Sequence, residues 1–170
     1  MLPADESPCG WYEMLPEPAP ARPVRGRESA DWVVLGAGIT GLSAARRLAE
    51  HLPEARILLV DAQRVGSGAS GRNSGFLTDL GHYEKGLQPE AQRQRIRLAR
   101  AGIAATRQVV RAHDIRCDWF EGGRLHGAAG DAGMRALKRF LGQLEALGEP
   151  YEELDAQQLE AITGSAYYRA

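Results

Sequence analysis

Residues 31–75 read DWVVLGAGITGLSAARRLAEHLPEARILLVDAQRVGSGASGRNSG. An apolar run at 32–35 leads directly into a glycine-rich turn at 36–41, and a helix-like stretch follows it. A second apolar run at 57–60 ends in an acid, Asp61. This is the order of a strand–helix–strand unit whose glycine turn receives the pyrophosphate of a dinucleotide. The stretch therefore predicts an α/β, Rossmann-like fold.

The glycines of this first glycine turn (residues 36–41) have separate physical roles. Gly36 permits the tight turn out of the strand, Gly38 lets backbone approach a pyrophosphate, and Gly41 lets the helix pack close to the sheet. The helix N-terminus then presents free N–H groups to the phosphates. Asp61 lies about twenty residues beyond, where a carboxylate accepts hydrogen bonds from an adenosine ribose. The alternatives are a flexible loop for the glycines and a solvated turn residue for Asp61.

The apolar patterns also predict burial. The unbroken run at 33–35 is expected to be buried on both faces of a parallel sheet. The helix after the turn is expected to bury one stripe and to stop at Pro53. The stripe consists of Leu42, Ala45, Ala49 and Leu52.

A second glycine-rich stretch, GSGASGRNSG, follows at residues 66–75 and is called here the second glycine loop. Its glycines keep the backbone open, its serines offer hydroxyls, and Arg72 supplies a cation. Such a stretch can wrap an extended anionic ligand, which favours FAD over NAD. The alternative is a glycine-serine linker, although a linker has no need of Arg72 beside Asn73.

Together, these stretches resemble the D-amino-acid-oxidase-like family of FAD-dependent oxidoreductases. Within that family the sequence is most similar to the γ-glutamylputrescine oxidase branch, including the opening GWYE at 10–13 and the closing AYYRA at 166–170. The resemblance implies FAD in extended form, with its adenosine near the first glycine turn. Its pyrophosphate and ribityl chain would pass Ser70 and Arg72, and its isoalloxazine ring would lie near Phe76.

The residues expected to bind FAD come from both stretches and the segments after them. They are Gly36, Gly38, Ile39, Thr40, Gly41, Asp61, Ala62, Ser67, Gly68, Ser70, Arg72, Asn73, Ser74, Gly75, Phe76 and Leu77.

The family resemblance implies an enzyme that oxidises the C–N bond of an amine or amino acid to an imine, with hydride transfer to the flavin. Oxygen or another electron acceptor would be its second substrate. The alternative is a catalytically incomplete flavin-binding module, or one subunit of a split oxidoreductase. A NAD-dependent dehydrogenase is a third hypothesis, against which the second glycine loop argues. Spacing assigns no catalytic residue: His82 and Tyr83 are either a pair that positions an amine or a surface pair on a loop.

The resemblance also bears on domain organisation, because family members are roughly two to three times longer than this chain. We therefore expect an N-terminal portion of such an enzyme. Residues 1–30 would be a proline-rich leader arm, 31–88 the FAD-binding segment, and 89–170 a helical segment that begins an α+β substrate domain. The incomplete chain is expected to be inactive alone and to self-associate or bind a complementing chain.

Patterns beyond residue 88 predict further elements. A long helix is expected at 89–113, with a solvated arginine face in preference to an anion-binding surface. Two short strands are expected at 117–128, then a helix capped by Asp131 that runs to about Leu147. Its expected buried side is Leu137, Leu141, Leu144 and Leu147. A strand at 151–154 and a short helix capped by Asp155 would follow.

Composition excludes several classes of protein. Lys and Arg number 21 against 22 Asp and Glu, so no bulk charge favours a nucleic-acid partner. No apolar run approaches the roughly 20 residues of a transmembrane helix, and the N-terminus has no basic segment of a secretory signal. The two cysteines and four histidines have no metal-ligand spacing. We therefore expect a cytoplasmic protein without a metal site. In the N-terminal arm, Trp11 and Tyr12 are expected either to dock on the rest of the chain or on a partner, or to be exposed to solvent.

Overall fold

The computed structural model of the protein describes residues 9–16, 22–80 and 88–170. The chain folds as two compact units, Met1–Phe76 and Leu77–Ala170. The divisions predicted at 30/31 and 88/89 stay predictions.

The first unit contains the predicted strand–helix–strand order. After a short helix α1 (Gly10–Glu13) come strand β1 (Trp32–Leu35), helix α2 (Ile39–His51) and strand β2 (Ile57–Val60). β1 pairs with β2 in parallel, from Trp32 opposite Ile57 to Leu35 opposite Val60. α2 contacts both strands, as the crossover helix of a βαβ unit does. Helices and a small parallel sheet agree with the predicted α/β fold as far as the described residues extend.

Burial of β1 on both faces was a wrong prediction. Val33 is 54% exposed and Leu35 is 80% exposed, whereas all four residues of β2 are half-buried. The physical reason is that the sheet in the described part of the chain has two strands, so β1 has β2 on one side only. An apolar strand sequence predicts burial, but it does not show which residues pack against the strand.

The stripe predicted for α2 is also only partly correct. Ala45 is half-buried, but Leu42 and Leu52 are 40% and 39% exposed, and Ala49 is exposed as well. Leu48, outside the predicted stripe, is half-buried instead. A two-stranded sheet covers a narrower band of a helix than the broad apolar stripe of a packed α/β layer. The helix ends at His51 with Leu52 as its C-cap, directly before Pro53, as predicted.

The second unit is helical. It contains α3 (Pro89–Ala112), α4 (Asp131–Leu147) and α5 (Ala156–Thr163). α3 begins with Pro at its first position, where the missing N–H costs no intrahelical bond. α3 packs on α4, and each of the three helices contributes one buried aliphatic residue: Ile96, Leu144 and Leu159. The predicted buried side of α4 is confirmed, because Leu144 is buried and Leu137, Leu141 and Leu147 are half-buried.

Helix ends test the predicted caps. Gly130 is the N-cap of α4 and Asp131 is its first helical residue, so the predicted cap is wrong by one position. Gly148 ends α4 with φ of 72°, a conformation that glycine adopts without strain. The Asp155 cap of α5 is confirmed: its side chain accepts from the Gln158 amide, and the Gln158 side chain accepts from the Asp155 amide.

The strands predicted at 117–128 and 151–154 are wrong, because both segments are irregular. The end of the first segment pairs instead with the last residues of the chain. The Ala128 amide donates to the Ala170 carbonyl (2.6 Å) and the Arg169 amide donates to the Ala128 carbonyl (2.8 Å). A run with strand-like composition forms a strand only where a partner is in reach.

The arginine face of α3 is paired with acids of its own unit. Arg100 bonds Asp79 at 2.8 Å and also bonds Glu149, and Arg107 bonds Glu121 at 2.6 Å. Desolvation tends to raise the pKa of Asp79, but the hydrogen bonds from Arg100 and the Leu80 amide, with the Arg100 charge, bring that pKa below its ordinary value. Among the described residues, no helix combines the length and apolarity that a membrane crossing needs.

Candidate cofactor-binding site

The first glycine turn closes by direct backbone contact. Gly36 has φ of 97°, a left-handed conformation that residues with a side chain rarely adopt, and its amide donates to the Val60 carbonyl at 2.8 Å. A Cβ on Gly41 would lie 1.8 Å from the Gly36 carbonyl oxygen. These contacts bring the first turn of α2 against the end of β1, as the roles assigned to Gly36 and Gly41 require.

The N-terminus of α2 leaves backbone donors available. Its N-cap is Gly38 in an extended conformation, without a side chain that caps the helix. The Ile39 amide donates to Ser70 Oγ (3.1 Å), while the amides of Thr40 and Gly41 have no acceptor among the described residues. Two unpaired N–H groups at the positive end of a 13-residue helix suit phosphate oxygens.

Asp61 lies at the carboxyl end of β2 and turns back to the first glycine turn. Its Oδ2 accepts from the Ala37 amide (2.6 Å) and its Oδ1 accepts from the Gln63 amide (2.8 Å). The Ala37 bond is the largest cause of a pKa below the ordinary value of 3.8, and the Gln63 bond adds to it. Asp61 is also exposed, so its remaining lone pairs are open to a ligand. The bond to Ala37 is a structural role that the sequence did not reveal.

The second glycine loop repeats the geometry of the first turn. Gly66 has φ of 79°, Gly68 is the extended N-cap of a 3₁₀ turn at Ala69–Gly71, and a Cβ on Gly71 would lie 2.0 Å from the Gly66 carbonyl oxygen. The signal for this is present in the sequence, because GAGITG at 36–41 and GSGASG at 66–71 share the spacing G-x-G-x-x-G. The second residue of each is buried, Ala37 at 2% and Ser67 at 5% exposure.

The structure brings the two glycine-rich stretches together. Besides the Ile39–Ser70 bond, the Gly66 amide donates to the Ala37 carbonyl at 3.3 Å. A Cβ on Gly38 would lie 2.8 Å from Ser70 Oγ. The sequence pattern predicted two separate ligand contacts, and the structure makes one continuous surface of them.

The side chains of Arg72 and Asn73 bond to the backbone of the second glycine loop, and both residues are exposed. Arg72 Nε donates to the Ser67 carbonyl at 2.8 Å. Asn73 Nδ2 donates to the Ser70 carbonyl (2.9 Å), and Asn73 Oδ1 accepts from the Gly75 amide (2.8 Å). These three hydrogen bonds join the two side chains to backbone groups of the second glycine loop. Ser67 Oγ is buried and has no hydrogen-bond partner among the described residues.

The remaining predicted residues are exposed. Ala62 and Ser74 lie on the surface of the first unit, as does Phe76 at 83% exposure. Leu77 is the first residue of the second unit and is 51% exposed. His82 and Tyr83 lie outside the described residues.

Residues of α1 contact the second glycine loop, and the sequence left their docking undecided. Tyr12 donates its hydroxyl to the Val65 carbonyl, and Trp11 Nε1 donates to the Asn73 carbonyl at 2.8 Å. Cys9 Sγ lies 3.3 Å from the Gly71 carbonyl oxygen. Both side chains thus contact the chain itself; Tyr12 is half-buried there, whereas Trp11 stays 50% exposed.

Comparison with known proteins assigns the chain to a family. The family model described as FAD dependent oxidoreductase (DAO) matches residues 31–170, which include both glycine-rich stretches. The chain belongs to this family of FAD-dependent oxidoreductases. FAD is therefore its cofactor, as the two stretches predicted.

Curated relatives are similar over parts of their length. Gamma-glutamylputrescine oxidoreductase of Escherichia coli (strain K12) is 32% identical over 83% of this chain and 32% of its own. The probable oxidoreductases OrdL of Haemophilus influenzae and Rhizobium meliloti are 32% and 44% identical, over 59% and 38% of this chain and 24% and 15% of theirs. The chain thus spans a third or less of the length of these relatives. No solved structure gives a significant match.

Proposed function

We propose that this chain supplies the FAD-binding part of an oxidoreductase that oxidises the C–N bond of an amine or amino acid to an imine. The observation that carries the proposal is the junction of the two glycine-rich stretches, where Ser70 Oγ accepts from the Ile39 amide beside two unpaired helix amides. A glycine-rich surface with free N–H donors fits a diphosphate, since the glycines let the backbone approach the phosphates.

Each residue would contribute by binding and orientation. The amides of Thr40 and Gly41 would donate to phosphate oxygens, and the exposed lone pairs of Asp61 would accept from ribose hydroxyls. Ser67, Arg72 and Asn73 would keep the second glycine loop in register with the first turn. When bound, FAD supplies the hydride acceptor for the oxidation, and the protein supplies placement and electrostatics.

Support for an amine substrate comes from the relative and from the resemblance in the glycine-rich stretches. The Escherichia coli relative is by its name an oxidoreductase of gamma-glutamylputrescine, a conjugate of the diamine putrescine. An amine or amino acid is therefore the substrate class we propose, with oxygen or another small electron acceptor as oxidant. The cytoplasm is the compartment we propose, on the cysteine usage of the sequence.

Cofactor identity and substrate class are tested separately. The purified chain is reconstituted with FAD and, in parallel, with NAD; after dialysis and denaturation the released nucleotide is identified. Release of FAD alone is expected, and release of NAD or of no nucleotide would contradict the cofactor assignment.

For the substrate, the protein is isolated from its own cells with any chain that accompanies it and mixed anaerobically with primary amines, secondary amines, D-amino acids and hydroxy acids. Bleaching of the flavin by a nitrogen-containing class is expected, and bleaching only by hydroxy acids would contradict the proposal.

A second candidate is a flavin-binding module that is catalytically incomplete, or one subunit of a split oxidoreductase. The exposure of β1 favours it, because Leu35 is 80% exposed on a two-stranded sheet in the described part of the chain. An exposed apolar strand favours association with another polypeptide segment, from a second copy or from a different chain. We expect the 170 residues alone to bind FAD, to show no amine-oxidising turnover and to self-associate. Robust turnover by a monomer, measured by peroxide release and size-exclusion chromatography, would exclude this candidate.

A further inference from the structure

We propose that helix α1 is a clamp on the second glycine loop, in which Trp11 and Tyr12 are positioning residues for FAD binding. The inference rests on the proposed function, since it assigns α1 a role at the same site. Residues 10–13 lie outside the segment 31–170 that the family model matches, so membership of the family does not assign them a role.

The contacts of α1 reach both ends of the loop. Tyr12 donates to the carbonyl of Val65, immediately before the loop begins, and Trp11 donates to the carbonyl of Asn73 near its end. Cys9 Sγ is close to the carbonyl of Gly71 between them. Three side chains of one short segment thus engage three backbone acceptors across the loop.

Tyr12 is held by more than its hydroxyl. The Arg64 guanidinium carbon lies 4.7 Å from the centroid of the Tyr12 ring, in a cation–π arrangement. A Cβ on Gly66 would lie 3.3 Å from the Tyr12 hydroxyl oxygen, so the hydroxyl end of Tyr12 lies against the backbone where the loop turns with positive φ. The start of the loop is therefore fixed by packing as well as by hydrogen bonding.

Trp11 connects to the first glycine turn through a series of hydrogen bonds. Trp11 bonds the Asn73 carbonyl, the Asn73 side chain bonds the Ser70 carbonyl, and Ser70 Oγ accepts from the Ile39 amide at the start of α2. The series runs from α1 to the helix N-terminus that would receive phosphate. A glycine-rich loop loses much conformational entropy when it is ordered, so a loop already ordered by α1 binds its ligand more tightly.

Conservative variants separate this role from general folding. Trp11→Phe and Tyr12→Phe each delete one donor and keep an aromatic ring. Their matched controls are Trp32→Phe and Tyr167→Phe, because the corresponding polar atoms of Trp32 and Tyr167 donate no hydrogen bond to any described residue. Both control residues are exposed, Trp32 at 48% and Tyr167 at 71%.

Two measurements decide the proposal. Amide hydrogen exchange of residues 66–75 is measured on the apo chain, and the FAD dissociation constant is measured by quenching of flavin fluorescence. Loss of one neutral hydrogen bond is expected to raise loop exchange and the dissociation constant each by roughly 3- to 10-fold in Trp11→Phe and Tyr12→Phe. The controls are expected to stay within about twofold of the parent.

The outcomes are distinguishable from failure of the proposed function. If the parent chain binds no FAD, the proposed function fails, while loop exchange still reports whether α1 holds the loop. Unchanged loop exchange in both α1 variants would overturn the clamp. So would faster exchange with an unchanged dissociation constant, because the loop would then be held without consequence for FAD. If exchange became faster throughout the first unit and no faster in the loop than elsewhere, α1 would be a general stabilising element. That result would also overturn the clamp.

Discussion

The carbonyl oxygen of Gly36 occupies the space that a side chain on Gly41 would need: a Cβ there would lie 1.8 Å from that oxygen. That oxygen cannot rotate away as a side chain would, because it belongs to the backbone directly after β1. Gly41→Ala should therefore force the turn open, at a cost of about 1–3 kcal/mol in the free energy of unfolding. It should also weaken FAD binding by at least about tenfold, since the α2 amides move with the turn.

Gly102→Ala is the matched control for that variant. Gly102 lies inside α3, and no atom lies within 4 Å of the Cβ that alanine would add. Alanine should stabilise this helix by about 0.5–1 kcal/mol and leave FAD affinity unchanged. Urea denaturation and FAD titration of both variants provide the test, and similar behaviour of Gly41→Ala and Gly102→Ala would contradict the close contact.

The second glycine loop is expected to respond to alanine in the same way as the first glycine turn. A Cβ on Gly71 would lie 2.0 Å from the Gly66 carbonyl oxygen, whereas a Cβ on Gly68 would meet nothing within 4 Å. Gly71→Ala should therefore destabilise the apo chain by about 1–3 kcal/mol, and Gly68→Ala should change stability by less than about 0.5 kcal/mol. The comparison uses thermal unfolding without FAD. If Gly68→Ala were the more damaging of the two, the repeat of the first turn's geometry would be wrong.

The βαβ order was predictable because its signals are local. The apolar run before Gly36, the helix-ending Pro53 and the acid Asp61 each act within a few residues of the backbone they shape. Burial of β1 was not predictable in the same way, since it depends on what packs against Val33 and Leu35. The strands expected at 117–128 failed for the same reason, because strand propensity is realised only beside a partner strand.

The sequence predicted the parts of the candidate site but not their connections. It singled out Asp61 and both glycine-rich stretches as candidate cofactor contacts. It did not show the bond from Ser70 to Ile39, which joins residues 31 positions apart. The contacts of Trp11 and Tyr12 span 62 and 53 positions. Hydrogen bonds from side chains to carbonyls far away in the sequence produce no periodic pattern from which they could be predicted.

Asp61 should make stability and FAD binding depend on pH in a defined direction. Amide hydrogen bonds from Ala37 and Gln63 lower its pKa below 3.8 in the folded chain. The folded state therefore favours the ionised carboxylate, and the resulting stability is fully present above about pH 4. It is lost as the pH falls through the lowered pKa.

Asp61→Asn should remove that pH dependence, because an amide does not titrate. The difference in unfolding free energy between the parent and Asp61→Asn should be constant from about pH 5 to 7 and should shrink below about pH 4. At neutral pH the variant should bind FAD roughly 10-fold more weakly, through loss of a charged acceptor. Denaturation curves at each pH measure the first effect. A difference that grows on acidification would contradict the assigned hydrogen bonds.

Arg72 should matter for FAD affinity more than Arg100, although both side chains are bonded. Arg72 Nε holds the Ser67 carbonyl inside the second glycine loop, whereas Arg100 bridges Asp79 and Glu149 in the other unit. Arg72→Ala should therefore raise the FAD dissociation constant by about tenfold or more, and Arg100→Ala should change it by less than about twofold. Arg72→Lys keeps the charge but not the donor geometry of Nε, so it should resemble Arg72→Ala if loop shape decides affinity. Fluorescence titration of all three variants gives the ranking. Equal dissociation constants for Arg72→Ala and Arg100→Ala would mean that the second glycine loop is a linker with no part in binding FAD.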